Sequence, residues 1–73
     1  MDLETAAERI YYELASEGGG SPDIPAGGPE IIRVGDGREF IRFSNVNGEL
    51  MRLEIVGDTL VYDGVAYSIA DYS

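Results

Sequence analysis

Four pairs of turn-forming residues, Asp36-Gly37, Asn47-Gly48, Gly57-Asp58 and Asp63-Gly64, divide the chain after Pro29 into short stretches in which apolar and polar residues alternate. Such pairs supply the positive φ angles that tight hairpins need, and alternation puts every second side chain on one face of a strand. The spacing predicts five antiparallel strands joined as a meander, roughly residues 30–35, 38–45, 49–56, 59–62 and 65–69. A two-residue Gly57-Asp58 turn sets Val56 opposite Thr59, Ile55 opposite Leu60 and Leu53 opposite Tyr62, and an Asp63-Gly64 turn sets Leu60 opposite Tyr67. Both turns place Leu53, Ile55, Leu60, Tyr62, Val65 and Tyr67 on one face, which is therefore the expected core. A three-residue loop Val46-Asn47-Gly48, with a bulge at Gly48, aligns Phe43 with Met51 and Ile41 with Leu53. A two-residue Asp36-Gly37 turn puts Ile32 opposite Ile41 and brings Val34 to the same face.

Ahead of the strands the period changes. Leu3, Ala6, Ala7, Ile10, Tyr11 and Leu14 recur at helical spacing, with Glu4, Glu8, Arg9 and Glu13 on the other side, which predicts an amphipathic helix over residues 2–17. Asp2 is placed to cap its start, Thr5 to Glu8 also fits a capping box, and Gly18 is placed to end it. Tyr12 lies opposite Leu14 on the helical wheel and reads either as a lone surface aromatic or as a partner contact. Residues 18–29, GGGSPDIPAGGP, sustain neither helix nor strand and form a long connection. The chain is thus expected to be one α+β domain over residues 1–73: helix 2–17, loop 18–29 and a four- to five-stranded antiparallel sheet over 30–69, with the helix packed on it. At 73 residues there is room for one core and none for a large enclosed cleft.

The sheet face turned away from the helix is expected to carry Arg33, Arg38, Phe40, Arg42, Leu50, Arg52, Glu54, Val56 and Val61, four of the five arginines in the chain. Cross-strand pairing of Arg42 or Arg52 with Glu54 is one reading of that pattern. A docking surface for a partner protein, built from Arg33, Phe40, Arg42, Leu50 and Arg52 with Tyr12 in addition, is the other, because arginines and aromatics are enriched at interface centres.

Fourteen Asp and Glu against five Arg, with neither Lys nor His, give a formal net charge of −9, which repels nucleic acids and anionic membranes. The same acidity fits a high-salt adaptation. Without His, Cys or Lys the chain lacks imidazole, thiolate and amine chemistry, so no enzyme, cofactor, metal or small-molecule substrate is expected. The three consecutive glycines follow no strand and precede no Lys, so they match no phosphate-binding motif, and the aspartates at 36, 58 and 63 read as turn residues rather than a calcium loop. No apolar stretch approaches the roughly 20 residues that span a bilayer.

An amphipathic helix, a glycine-rich connection and a meander in this order resemble the globular half of type IV pilin-like proteins, in particular minor pilins and the minor pseudopilins of type II secretion. Residues 6–14, AAERIYYEL, look like the family's stretch leaving the membrane helix. Residues 39–43, EFIRF, followed by Asn47-Gly48 look like its first long strand and turn. Residues 53–60, LEIVGDTL, look like its recurrent strand and turn, and residues 65–72, VAYSIADY, resemble its terminal strand. The resemblance implies a non-enzymatic assembly protein that contacts other protein subunits in the periplasm or at the cell surface. Family members begin with a basic leader and an apolar anchor, whereas here Met1 is followed at once by Asp2. Either the chain is the soluble portion that follows such an anchor, which would be its sole link to a membrane, or the likeness is architectural. The alternative expectation is a free, cytoplasmic acidic binding module, inhibitor- or antitoxin-like, that occupies a basic partner surface by charge mimicry.

Overall fold

The computed structural model describes residues 2–73. Helix α1 (Leu3–Ala15) is followed by strands β1 (Glu30–Arg33), β2 (Glu39–Asn45), β3 (Gly48–Val56), β4 (Thr59–Tyr62) and β5 (Val65–Ser68), then by a one-turn helix α2 (Ile69–Tyr72). The strands form one antiparallel sheet in the order β1-β2-β3-β4-β5, a plain meander.

Asp2 starts α1 as expected: its carboxylate accepts from the Thr5 backbone N–H at 3.2 Å and from the Thr5 hydroxyl at 2.8 Å. These bonds satisfy a donor that the helix leaves open and hold the Asp2 pKa below the ordinary aspartate value. The apolar stripe of α1 enters a single buried cluster in which Ala6, Ala7, Ile10 and Tyr11 meet Ile41, Phe43, Leu53, Leu60 and Ile69. Tyr11 stacks on Phe43 with ring centroids 4.9 Å apart.

The three-strand register over β3 to β5 follows the turn chemistry: Ile55 stands opposite Leu60, Val56 opposite Thr59, and Leu60 opposite Tyr67. Leu53 and Leu60 are buried, and Ile55 and Tyr67 pack against the core. Tyr62 and Val65 share that face but are 38% and 51% exposed, because the Asp63-Gly64 corner is left uncovered. At this corner Asp63 has φ +51° and Gly64 φ +78°, the two consecutive positive angles of a tight hairpin turn. Asp63→Val should therefore destabilise the fold by about 1–2 kcal/mol and Asp63→Gly by little or nothing. Chemical denaturation of the two variants checks this, and equal midpoints would contradict it.

The β1 register and the position of the bulge in the second hairpin differ from the sequence expectation, whereas Phe43 opposite Met51 and Ile41 opposite Leu53 stand as expected. Val34 donates to the Arg38 carbonyl and Gly37 to the Val34 carbonyl, both at 2.9 Å, so the first hairpin has a three-residue loop, Gly35-Asp36-Gly37. Ile31, not Ile32, then faces Ile41, while Ile32 faces Phe40 on the other side and Arg33 joins Glu39 on the helix side. Two adjacent isoleucines fit either face, so alternation could not choose between them. In the second hairpin Asn45 pairs with Gly48 and Ser44 with Glu49, leaving Leu50 as the extra residue of a bulge. The turn is closed by the Asn47 N–H donating to Asn45 Oδ1 at 2.8 Å. Leu50 consequently packs against the core rather than standing among the arginines.

β5 forms as expected over Val65–Ser68, but from Ile69 onward the chain does not continue the expected terminal strand. Ile69 donates to the Asp58 carbonyl at 2.9 Å, and the chain coils into α2. One turn brings Ile69 into the core while Tyr72, three residues on, reaches α1: its hydroxyl donates to Glu13 at 2.9 Å, and its carbonyl accepts from Arg9 Nη1 at 3.0 Å.

Candidate functional site

The register places Glu30, Arg42 and Arg52 in one row across the face turned away from α1, and Ile32, Phe40, Glu54, Val61 and Ala66 in the next. Phe40 lies beneath two guanidiniums, with Arg38 and Arg52 each 5.3 Å from its ring centroid. Of the six residues expected to contact a partner, Phe40, Arg42 and Arg52 are thus brought together. Arg33 lies on the opposite face, Leu50 sits in the bulge, and Tyr12 is on α1. Arg38, which was not among the six, belongs to the assembled group.

Arg42 and Arg52 stand directly opposite one another, a repulsive arrangement unless carboxylates intervene. Glu30 pairs with Arg42, and Glu49 with Arg52 at 2.8 Å. The expected partner for these two, Glu54, instead lies 3.9 Å from Arg38, which also holds Asp36 at 3.0 Å, and Arg33 pairs with Glu39 at 3.3 Å. Hydrogen bonding to Arg52 lowers the Glu49 pKa and, reciprocally, raises that of Arg52, while the Arg38 backbone N–H, first among several causes, lowers that of Asp36. These groups are exposed or half-exposed, so the pairs add little to stability. Their larger consequence is that the face carries little net positive charge.

Five of the fourteen carboxylates are spent on these pairs, leaving nine without an ion-pair partner among the described residues. Six of the nine, Asp2, Glu4, Glu8, Glu13, Glu17 and Asp23, precede the sheet. Salt weakens the contact pairs only in part but removes repulsion between carboxylates farther apart, since the screening length is about 3 Å at 1 M. The melting temperature should rise between low salt and about 1 M sodium chloride; a fall would contradict the charge distribution described.

A second feature lies on the other side of the domain. Glu4, Glu8 and Tyr12 recur at four-residue spacing along α1, and the long connection returns to this stripe. It is tied there by the Tyr11 hydroxyl donating to the Asp23 carbonyl at 2.7 Å and by the Ala26 N–H donating to the Ser44 carbonyl at 2.9 Å. Burial raises the Tyr11 pKa, so this hydroxyl stays protonated as a donor beyond the ordinary tyrosine range. Glu8, Tyr12, Pro25, Gly27, Pro29 and Phe43 line a cleft of about 70 Å³ between helix and connection. Tyr12 is therefore not an isolated surface aromatic, and the cleft had no signal in the sequence beyond that four-residue spacing.

Among the described residues no group of three or more acidic side chains gathers closely enough to hold a metal ion, and no helix is long and apolar enough to cross a membrane. No protein-family model, curated protein or solved structure matches the chain.

Proposed function

We propose that the chain is the globular domain of a non-catalytic assembly protein, a minor pilin-like or pseudopilin-like subunit that works through contacts with other protein subunits outside the cytoplasm. The observation that carries this reading is the architecture: an amphipathic helix, a glycine-rich connection laid back against it, and an antiparallel meander, in that order. Phe40 under Arg38 and Arg52 supplies a contact centre of the kind interfaces favour, an aromatic with preorganised guanidiniums. Neutralisation of Arg38, Arg42 and Arg52 by Asp36, Glu30 and Glu49 shifts the expected partner from an acidic element to one with mixed charge and an apolar centre.

The nine carboxylates outside ion pairs favour a second reading, a free acidic module that covers a basic surface. Affinity co-purification from the source cells, with washes at low salt and at about 1 M salt, separates the two. The assembly reading expects filament or secretion subunits retained at both salts and lost on Phe40→Ala, with circular dichroism confirming that the variant folds. Retention of a single basic protein at low salt alone would replace it with the second reading.

A further inference from the structure

We infer that the cleft between α1 and the connection receives one lysine or arginine side chain from a partner protein. The inference stands apart from the assembly reading and rests on the chemistry of the cleft walls. Pro25 and Pro29 offer apolar surface suited to the methylene stem of a long cationic side chain, and the Tyr12 and Phe43 rings line the same space. Glu8 lines the cleft, and Glu4 lies one turn earlier, with Oε2 at 4.0 Å from the position a Cβ on Gly28 would take. Neither carboxylate has an ion-pair partner among the described residues.

Among the described residues no arginine lines the cleft. Arg33, Arg38, Arg42 and Arg52 are engaged with carboxylates of the sheet and its turns, and Arg9 with the Tyr72 carbonyl. Charge complementarity therefore points to a cation from outside. At about 70 Å³, against the roughly 10–15 Å³ a water needs, the cleft has room for the end of one side chain and not for a nucleotide or sugar. A polypeptide source fits because Pro29, which lines the cleft, immediately precedes β1, the edge strand of the sheet. The Val34–Arg38 hydrogen bond fixes the alternation, so the backbone groups of Ile31 and Arg33 point away from β2, and an extended chain can run alongside them.

The test is a titration of ¹⁵N-labelled protein with the peptide acetyl-Thr-Val-Lys-Val-Thr-amide and with its norleucine counterpart. The lysine peptide should shift the amides of Glu8, Tyr12, Gly27 and Gly28, and the norleucine peptide should not. Glu8→Gln and Tyr12→Ala should each weaken binding by about fivefold or more, while Glu17→Gln, which removes the same charge elsewhere, should change it by less than about twofold. Equal effects of Glu8→Gln and Glu17→Gln would overturn the inference, as would equal shifts from the norleucine peptide. Spermidine matching the lysine peptide at the same amides would overturn it too, by showing a response to charge alone.

Discussion

Leu53→Ala should lower the unfolding free energy by about 2–5 kcal/mol, and Arg52→Ala, one residue away, by much less. Leu53 is fully buried opposite Ile41, at the centre of the face that meets α1. Removing its isobutyl group loses the transfer energy of the buried methyl and methylene groups and leaves a hole that a clamped sheet closes poorly. Arg52 faces away, exposed and tied to Glu49, so its loss removes one surface ion pair and part of the cover over Phe40. Urea denaturation of both variants reads the difference as a shift in midpoint, and similar midpoints would mean that the two faces of β3 are exchanged.

Phe43→Ala should cost about 3–5 kcal/mol, the largest effect expected of any single truncation here. Phe43 is buried on β2, opposite Met51, and its ring supports Tyr11 from below. Tyr11 in turn holds the connection through the Asp23 carbonyl, and Phe43 also lines the cleft. The loss should therefore exceed simple burial and loosen residues 18–29 as well. Hydrogen exchange in the variant should show the Ala26 amide, which donates to Ser44, losing protection more than the amides of β4. Loss of protection confined to β4 and β5 would contradict the coupling between Phe43 and the connection.

How much of this was legible in the sequence depended on whether local chemistry determined the geometry. The β3-β4-β5 register was legible because Gly57-Asp58 and Asp63-Gly64 each admit a tight two-residue turn and the hydrophobic pattern agrees with both. The β1 register was not, because Ile31 and Ile32 satisfy either face and a loop of two residues or three closes the same glycine-rich turn. Leu50 moved from the arginine face to the core for a comparable reason: the extra residue of the hairpin can sit at Gly48 or further along β3, and the Asn45 side chain decided the matter. α2 escaped because Val65 to Ile69 alternates like a strand, and only the tertiary contacts of Ile69 and Tyr72 reward the coil. Of the candidate site, the grouping of Phe40, Arg42 and Arg52 was legible from parity. Arg33 was lost with the β1 register, and the ion pairs that neutralise the face depend on Glu30 and Glu49, whose reach no spacing rule predicts.

The central claim is that the chain acts through contact surfaces, at the Phe40 face and at the Tyr12 cleft. The most direct measurement replaces Phe40, Tyr12 and, as a control, Tyr62 one at a time with a photo-cross-linking amino acid in the source cells. Tyr62 is as exposed as Tyr12, each at 38%, but lies at the uncovered Asp63-Gly64 corner, away from both surfaces. The account predicts adducts to other protein subunits from positions 40 and 12 and few or none from position 62. Adducts from position 62 as abundant as those from 40 and 12, or none from any of the three, would contradict it.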